Sequence, residues 1–173
     1  MCGLWYDELI KNDFINSKKV YIAMNDAKAF ISNNTALFEE RIEKENQETN
    51  FIILDYEKKE TMDLLSRKND HGEDPDYYSK KIKNVIMYHL RNYKNKNAKH
   101  TVELYLNPNY NTMAVLLMDN YAMISLYRLS LGKGEVLHMT FNKDGKEYKN
   151  ICCDIQCLCK KKARKFNWLE ANP

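Results

Sequence analysis

The sequence is short of the residues that build linkers and membrane spans. Five glycines and three prolines in 173 residues leave little material for long flexible connections, and the length fits one domain over Met1–Pro173. No segment supplies the roughly 18 to 20 apolar residues that cross a bilayer. The start, MCGLWYDELIKNDF, mixes acids into its apolar residues and forms no signal-peptide core. A cytoplasmic protein without membrane association is expected. The five cysteines are odd in number, and four cluster near the C-terminus, which is unlike a secreted disulfide framework and fits reduced thiols.

Other absences bear on chemistry. The histidines, His71, His89, His100 and His138, are dispersed, with no HxH or HExxH spacing. On a helix, Cys152 and Cys159 share one face while Cys153 and Cys157 form another pair, so one helix does not bring all four to a tetrahedral centre. No glycine-rich phosphate loop is present; SLGKGE at 130–135 reads as a loop between strands, where Arg128 and Lys133 are candidates to hold an anion. Neither a metal nor a cofactor is expected. Charge is nearly balanced, with 27 basic and 24 acidic residues. That balance permits nucleic-acid binding without the one-sided excess of a dedicated binder.

What is present is a regular alternation of elements. A short helix is expected over 4–14, with Leu4, Trp5, Leu9 and Ile10 for burial. KKVYIAM at 18–24 reads as a strand. Asn25 and Asp26 cap a helix whose Ala27, Phe30, Ile31, Leu37, Phe38 and Ile42 recur at helical spacing. NFIILD at 50–55 is a continuous apolar run, as in a strand covered on both faces. A short helix is predicted to include 61–68. After the polar break NDHGEDPD, Asp74-Pro75 starts an amphipathic helix with Ile82, Val85, Ile86, His89, Leu90 and Tyr93 on one face. VELYL, TMAVLLM, YAMISLYRL and EVLHMTF then read as four strands, with a tight turn at Asp144-Gly145. A final helix from about Tyr148 places Ile151, Cys152, Ile155, Leu158, Cys159 and Phe166 inward. The expected class is α/β, a layered domain with a mixed sheet flanked by helices.

The most informative stretch is NPNYNTMAVLLMDNYAMISLYRLS, 107–130: two strands joined at Asp119-Asn120. Asp-Asn is itself a favourable hairpin turn, because both residues tolerate positive φ. The layout of strand, aspartate and strand also resembles the motif region of the phospholipase D-like superfamily, and the pattern of elements resembles one half-unit of that family over roughly 20–166. The resemblance implies a His that attacks phosphorus, a Lys that holds a phosphate oxygen and an Asp that orients the His, with two units forming one site. Carried across, the Asp position falls on Asp119, the His position on Thr112 and the Lys position on Ala114, and Ser125 lies near the family's following serine. No His or Lys occurs anywhere from Thr101 to Arg128, so the usual phosphodiester chemistry is not expected.

Twelve tyrosines, several of them in predicted strands (Tyr105, Tyr110, Tyr121, Tyr127), suit an interface. Self-association is expected through the face bearing the motif strands, as the resemblance implies. Two basic stretches are candidate phosphate contacts: KKKARK at 160–165, and 80–100, where Tyr88 could stack on a base while Tyr93 faces the core. The expectation is a non-catalytic, homodimeric binding or regulatory module. It would recognise a nucleotide, a nucleic acid or a partner protein, with Thr112, Asp119, Ser125, Arg128 and Lys133 as candidate ligand-binding residues. One alternative is a phosphodiesterase or nuclease of the same fold with His100 or His138 recruited beside Asp119. Another is a small interaction domain without an anion site.

Overall fold

The computed structural model describes residues 7–69, 75–127 and 137–169. The strands are β1 (Lys19–Ala23), β2 (Glu48–Leu54), β3 (Thr101–Asn107), β4 (Met113–Leu117), β5 (Tyr121–Leu126), β6 (His138–Asn142) and β7 (Arg164–Lys165). They form one seven-stranded sheet in the order β6-β5-β4-β1-β2-β3-β7. β1, β2 and β3 are parallel, and β4, β5, β6 and β7 join antiparallel. The expected layered α/β class with a mixed sheet is therefore what the chain adopts.

Helices cover both faces because the central strands are apolar on both. Val20 and Ile22 of β1, Phe51 and Ile53 of β2, and Val102, Leu104 and Leu106 of β3 look to one side. There they pack under α1 (Glu8–Asn16), α2 (Lys28–Asn33), α3 (Thr35–Glu43), α4 (Lys59–Lys68), α5 (Pro75–Asn84) and α6 (Arg91–Lys96). Phe38 is the hub of this layer, edge-on to Phe14 and Phe30 and stacked on Phe51 and Tyr93. The smaller second core joins Ala23, Ile52, Val115, Leu117 and Ala122 to Ile155 of α7 (Lys146–Cys157).

Several local expectations change. Leu9 is 64% exposed, because α1 turns Ile10, Asp13 and Phe14 inward instead; Leu4 and Trp5 lie outside the described residues. The helix expected from Ala27 to Ile42 is two helices. Asn34 divides them, its side-chain amide donating back to the Phe30 carbonyl at 2.7 Å, an alternative to continued helix that asparagine offers readily. The helix that starts at Pro75 contains a π-helical stretch, Val85–Leu90, before α6. The C-terminal helix likewise ends in a π stretch, Leu158–Lys162, so Phe166 is not on it. Phe166 follows β7, donates its N–H to the Leu104 carbonyl at 2.8 Å and packs in the larger core. A two-residue strand carries no periodicity from which it could be read.

Candidate functional site

The paired strands β4 and β5 place the candidate residues at two different ends of the sheet. Thr112 precedes β4, and its carbonyl accepts from the Tyr127 N–H at 3.3 Å. Ser125 lies opposite Ala114, close to that end. Asp119 follows β4 at the other end, beside the start of β1. At about 3.3 Å per residue, Thr112 and Asp119 are on the order of 20 Å apart. Arg128 and Lys133 lie outside the described residues. The structure therefore brings Thr112 and Ser125 together and separates both from Asp119.

Asp119 is bound into the scaffold. Its carboxylate accepts the N–H of Lys18 at 2.7 Å and of Lys19 at 3.5 Å, and its own N–H donates to Ser17 Oγ at 2.9 Å. Next to it the buried Asp13 takes three donors from the same turn, namely the Asn120 N–H, the Asn120 side-chain amide and the Tyr121 N–H. Ser17 Oγ also donates to Asp13. Two carboxylates thus pin the β4–β5 turn to the α1–β1 junction.

Neither recruited-histidine expectation is met at Asp119. His138 Nδ1 lies 2.6 Å from Ser125 Oγ across the β5–β6 pair, and Ser125 is buried, which denies its hydroxyl to a substrate. His100 is buried and bonded at both nitrogens. Nδ1 donates to the Lys44 carbonyl, so Nε2 is the acceptor for the Thr49 hydroxyl, which in turn accepts from Arg41 Nε. This is a structural relay in the core. Burial, followed by the Arg41 charge, outweighs the hydrogen bond to Lys44 and holds the His100 pKa below its ordinary value.

The carboxyl ends of the parallel strands, where α/β sheets commonly hold ligands, are filled by the β3–β4 connection. Asn25 at the end of β1 donates from Nδ2 to the Asn111 carbonyl at 3.1 Å and accepts the Asn111 N–H at 3.0 Å. Asn107 Nδ2 donates to Asn111 Oδ1 at 2.8 Å, and the Tyr127 hydroxyl accepts the Asn25 N–H. Asparagines close the crevice on themselves. The tyrosines expected at an interface are packed against the sheet: Tyr110, Tyr121 and Tyr127 against the larger core and Tyr105 against the smaller.

A concave feature of the surface lies beside this end, along the helix that begins at Pro75. A groove of about 480 Å³ is lined by Lys28, Tyr77, Lys80, Lys81, Asn84, Val85, Tyr88 and His89. From Tyr77 to His89 these recur at three- and four-residue spacing, one continuous stripe along the helix; Lys28 faces it from α2. None of the described lining residues is acidic. Lys81 pairs with Asp26, whereas Lys28 and Lys80 are exposed and have no ion-pair partner among the described residues. Tyr88 is 69% exposed, and Tyr93 is buried as its spacing predicts.

Two backbone irregularities shape this groove. Ala27 adopts φ 54, the left-handed region that an alanine occupies at a cost. The turn lets Asp26 accept the Lys28 N–H while reaching Lys81, and sends Lys28 to the other wall. The π stretch is the second. In an uninterrupted α-helix His89 belongs with Val85, Ile86 and Tyr93 on the core face. The wider turn, closed by the Arg91 N–H on the Ile86 carbonyl, leaves His89 half-buried at the groove edge. Such π turns concentrate at functional sites. Sequence reasoning named Tyr88 and the basic stretch but missed Lys28, because nothing local links residue 28 to residue 80.

The other basic run is partly neutralised. Arg164 pairs with Glu57 at 3.0 Å and Lys165 with Glu103 at 2.9 Å, leaving Lys160, Lys161 and Lys162 on an exposed face. Cys152 and Cys159 are half-buried against the sheet and Cys153 and Cys157 exposed, as helical geometry predicts. Burial raises the Cys159 thiol to about 11. No group of three or more metal-ligating side chains is found among the described residues, nor is any helix there long and apolar enough to cross a membrane.

No protein-family model matches the chain, and no curated protein matches it in sequence. Among solved structures it is similar to TrmBL2, an archaeal chromatin protein with a novel mode of DNA binding. The identity is 12% and the TM-score 0.52, over 92% of this chain and 50% of that one. The chain thus spans about half the length of that protein, and at this identity the likeness is one of fold. The finding corrects the phospholipase D-like resemblance: the structural likeness is to a DNA-binding chromatin protein. The geometry agrees, since Asp119 holds backbone amides at one end of the sheet and Thr112 and Ser125 lie at the other.

Proposed function

We propose that the chain is a non-catalytic nucleic-acid-binding module, one domain over Met1–Pro173, which holds the phosphate backbone in the groove between Lys28 of α2 and the helix that begins at Pro75, and stacks unpaired bases on Tyr88. The observation that carries this reading is the composition of the groove: Lys28 and Lys80 without an ion-pair partner among the described residues, His89 half-buried, Tyr88 exposed, and no carboxylate among the described lining residues. Cations that track a backbone and aromatic rings that receive bases are the two parts of a single-strand site. The DNA binding of TrmBL2, a protein of similar fold, supports the class of ligand.

Fluorescence anisotropy with labelled single-stranded and duplex oligonucleotides at low salt tests it. The single strand is expected to bind more tightly, and Lys28→Glu with Lys80→Glu is expected to abolish binding while thermal melting is unchanged. Tyr88→Ala is expected to cost about 1 to 3 kcal/mol on the single strand and little on the duplex. Absence of binding to either oligonucleotide, or binding indifferent to the lysine changes, would remove the groove as the site. Turnover of bis-p-nitrophenyl phosphate, lost on substitution of Ser125, would return the chain to the hydrolases.

A further inference from the structure

The two edges of the sheet are treated differently. The β7 edge is two residues long, both charged, and each is held by an acidic neighbour. Short, charged edges are how sheets avoid pairing with other chains. The β6 edge is five residues, HMTFN, without Lys, Arg, Asp, Glu or Pro.

The backbone of β6 shows which groups are left over. The Leu137 carbonyl accepts from the Leu126 N–H at 3.2 Å and the Lys143 N–H donates to the Asn120 carbonyl at 2.9 Å. Antiparallel pairing alternates along a strand, so the odd-numbered residues from 137 to 143 turn their polar groups toward β5. His138, Thr140 and Asn142 turn theirs outward. Among the described residues, only the Asn142 carbonyl has a partner there, the Gly145 N–H. Side chains alternate too: Met139 and Phe141 share the face of α7, and His138, Thr140 and Asn142 the other.

We infer that β6 is the docking edge for a second copy of this chain, joined antiparallel about a two-fold axis at Thr140. The strand is complementary to itself in that register. Thr140 meets Thr140 of the second copy, Met139 lies opposite Phe141, and His138 opposite Asn142. Apolar side chains meet on one face and neutral polar side chains on the other, and no like charges are opposed. Beyond the strand, Leu137, 61% exposed, lies along the aliphatic stem of Lys143 of the second copy. The outward N–H and C=O groups, apart from the Asn142 carbonyl that the Gly145 N–H already engages, are exchanged between copies as ladder bonds, an isologous contact of the kind that closes at two subunits. One short strand makes a small interface, so the dimer forms with rising concentration.

Sedimentation velocity of the full chain over a wide concentration range tests this. The expected result is a mass rising from monomer toward dimer. Thr140→Pro removes an outward N–H that β5 does not use, so the variant is expected to melt as the parent does and to remain monomeric. Thr140→Lys sets two ammonium groups against each other on the axis and is expected to abolish the dimer as well; it decides the matter if the proline variant does not fold. A parent protein monomeric up to its solubility limit overturns the inference. So does a dimer that persists in the lysine variant.

Discussion

Arg41 and His100 show how far a residue's role can depart from its local sequence. Arg41 sits in a short helix that also carries three glutamates, yet it is 0% exposed. Its guanidinium donates to the Phe14, Ser17 and Glu48 carbonyls and to Thr49 Oγ1, four neutral acceptors. Burial lowers its pKa to about 10, against the pull of the Asp119 and Asp13 carboxylates, which raise it; that is still above neutral pH, so the charge remains. Those bonds join the end of α1, α3 and β2, and His100 continues the chain to Lys44. The relay requires a neutral imidazole, since protonated Nε2 would have no lone pair for the Thr49 hydroxyl. The folded pKa of His100 is depressed, so the unfolded chain binds its proton more readily. Stability is therefore expected to fall as pH drops through the unfolded value of about 6.5, and the loss to level off once the folded pKa is passed. Urea unfolding between about pH 8 and pH 5.5 checks this. His100→Gln is expected to be less stable at the upper pH and flatter across the range; an equally steep decline in that variant would assign the effect elsewhere.

At the scale of elements, the β4–β5 turn carries the sharpest lesson. Asp119-Asn120 is legible as a hairpin, and the strands fall where alternation and apolar content place them. What the aspartate does is not legible. Its partners, Lys18 and Lys19, are about a hundred residues earlier and contribute backbone amides, which have no sequence signature. Asp13 is more hidden still: an acid in a short helix with no pattern to mark it, buried and holding three donors of the turn. The two carboxylates are therefore expected to differ on substitution. Asp13→Ala strips charge-assisted bonds from a buried site, and a loss of about 2 to 4 kcal/mol is expected. Asp119→Ala, at an exposed turn, is expected to cost about 1 kcal/mol. Chemical denaturation of both variants measures the contrast; a larger loss at Asp119 would mean that its carboxylate does more than hold the Lys18 and Lys19 amides.

For the whole molecule, the layered class and most strand positions were readable because apolar runs and alternation are local properties. The strand order was not, because β4 reaches the far side of β1 only through a loop closed by Asn25, Asn107 and Asn111. The groove was half readable: the basic stripe and Tyr88 lie on one helix, while Lys28 joins them only through the fold. Net charge also misleads here. An excess of +3 over the whole chain is too small to steer a polyanion strongly, so the proposed binding would rest on a few local cations. That predicts a shallow salt dependence. For a single strand, the logarithm of affinity falls with the logarithm of salt by about 0.7 per phosphate neutralised. Lys28→Gln and Lys80→Gln are each expected to flatten the slope by about 0.7, whereas Tyr88→Ala lowers affinity and leaves the slope unchanged, because stacking releases no counterion. Anisotropy titrations at several salt concentrations separate the two contributions. A slope unmoved by either lysine change would place the phosphate contacts outside the groove, with Lys160, Lys161 and Lys162 the next exposed cations to substitute.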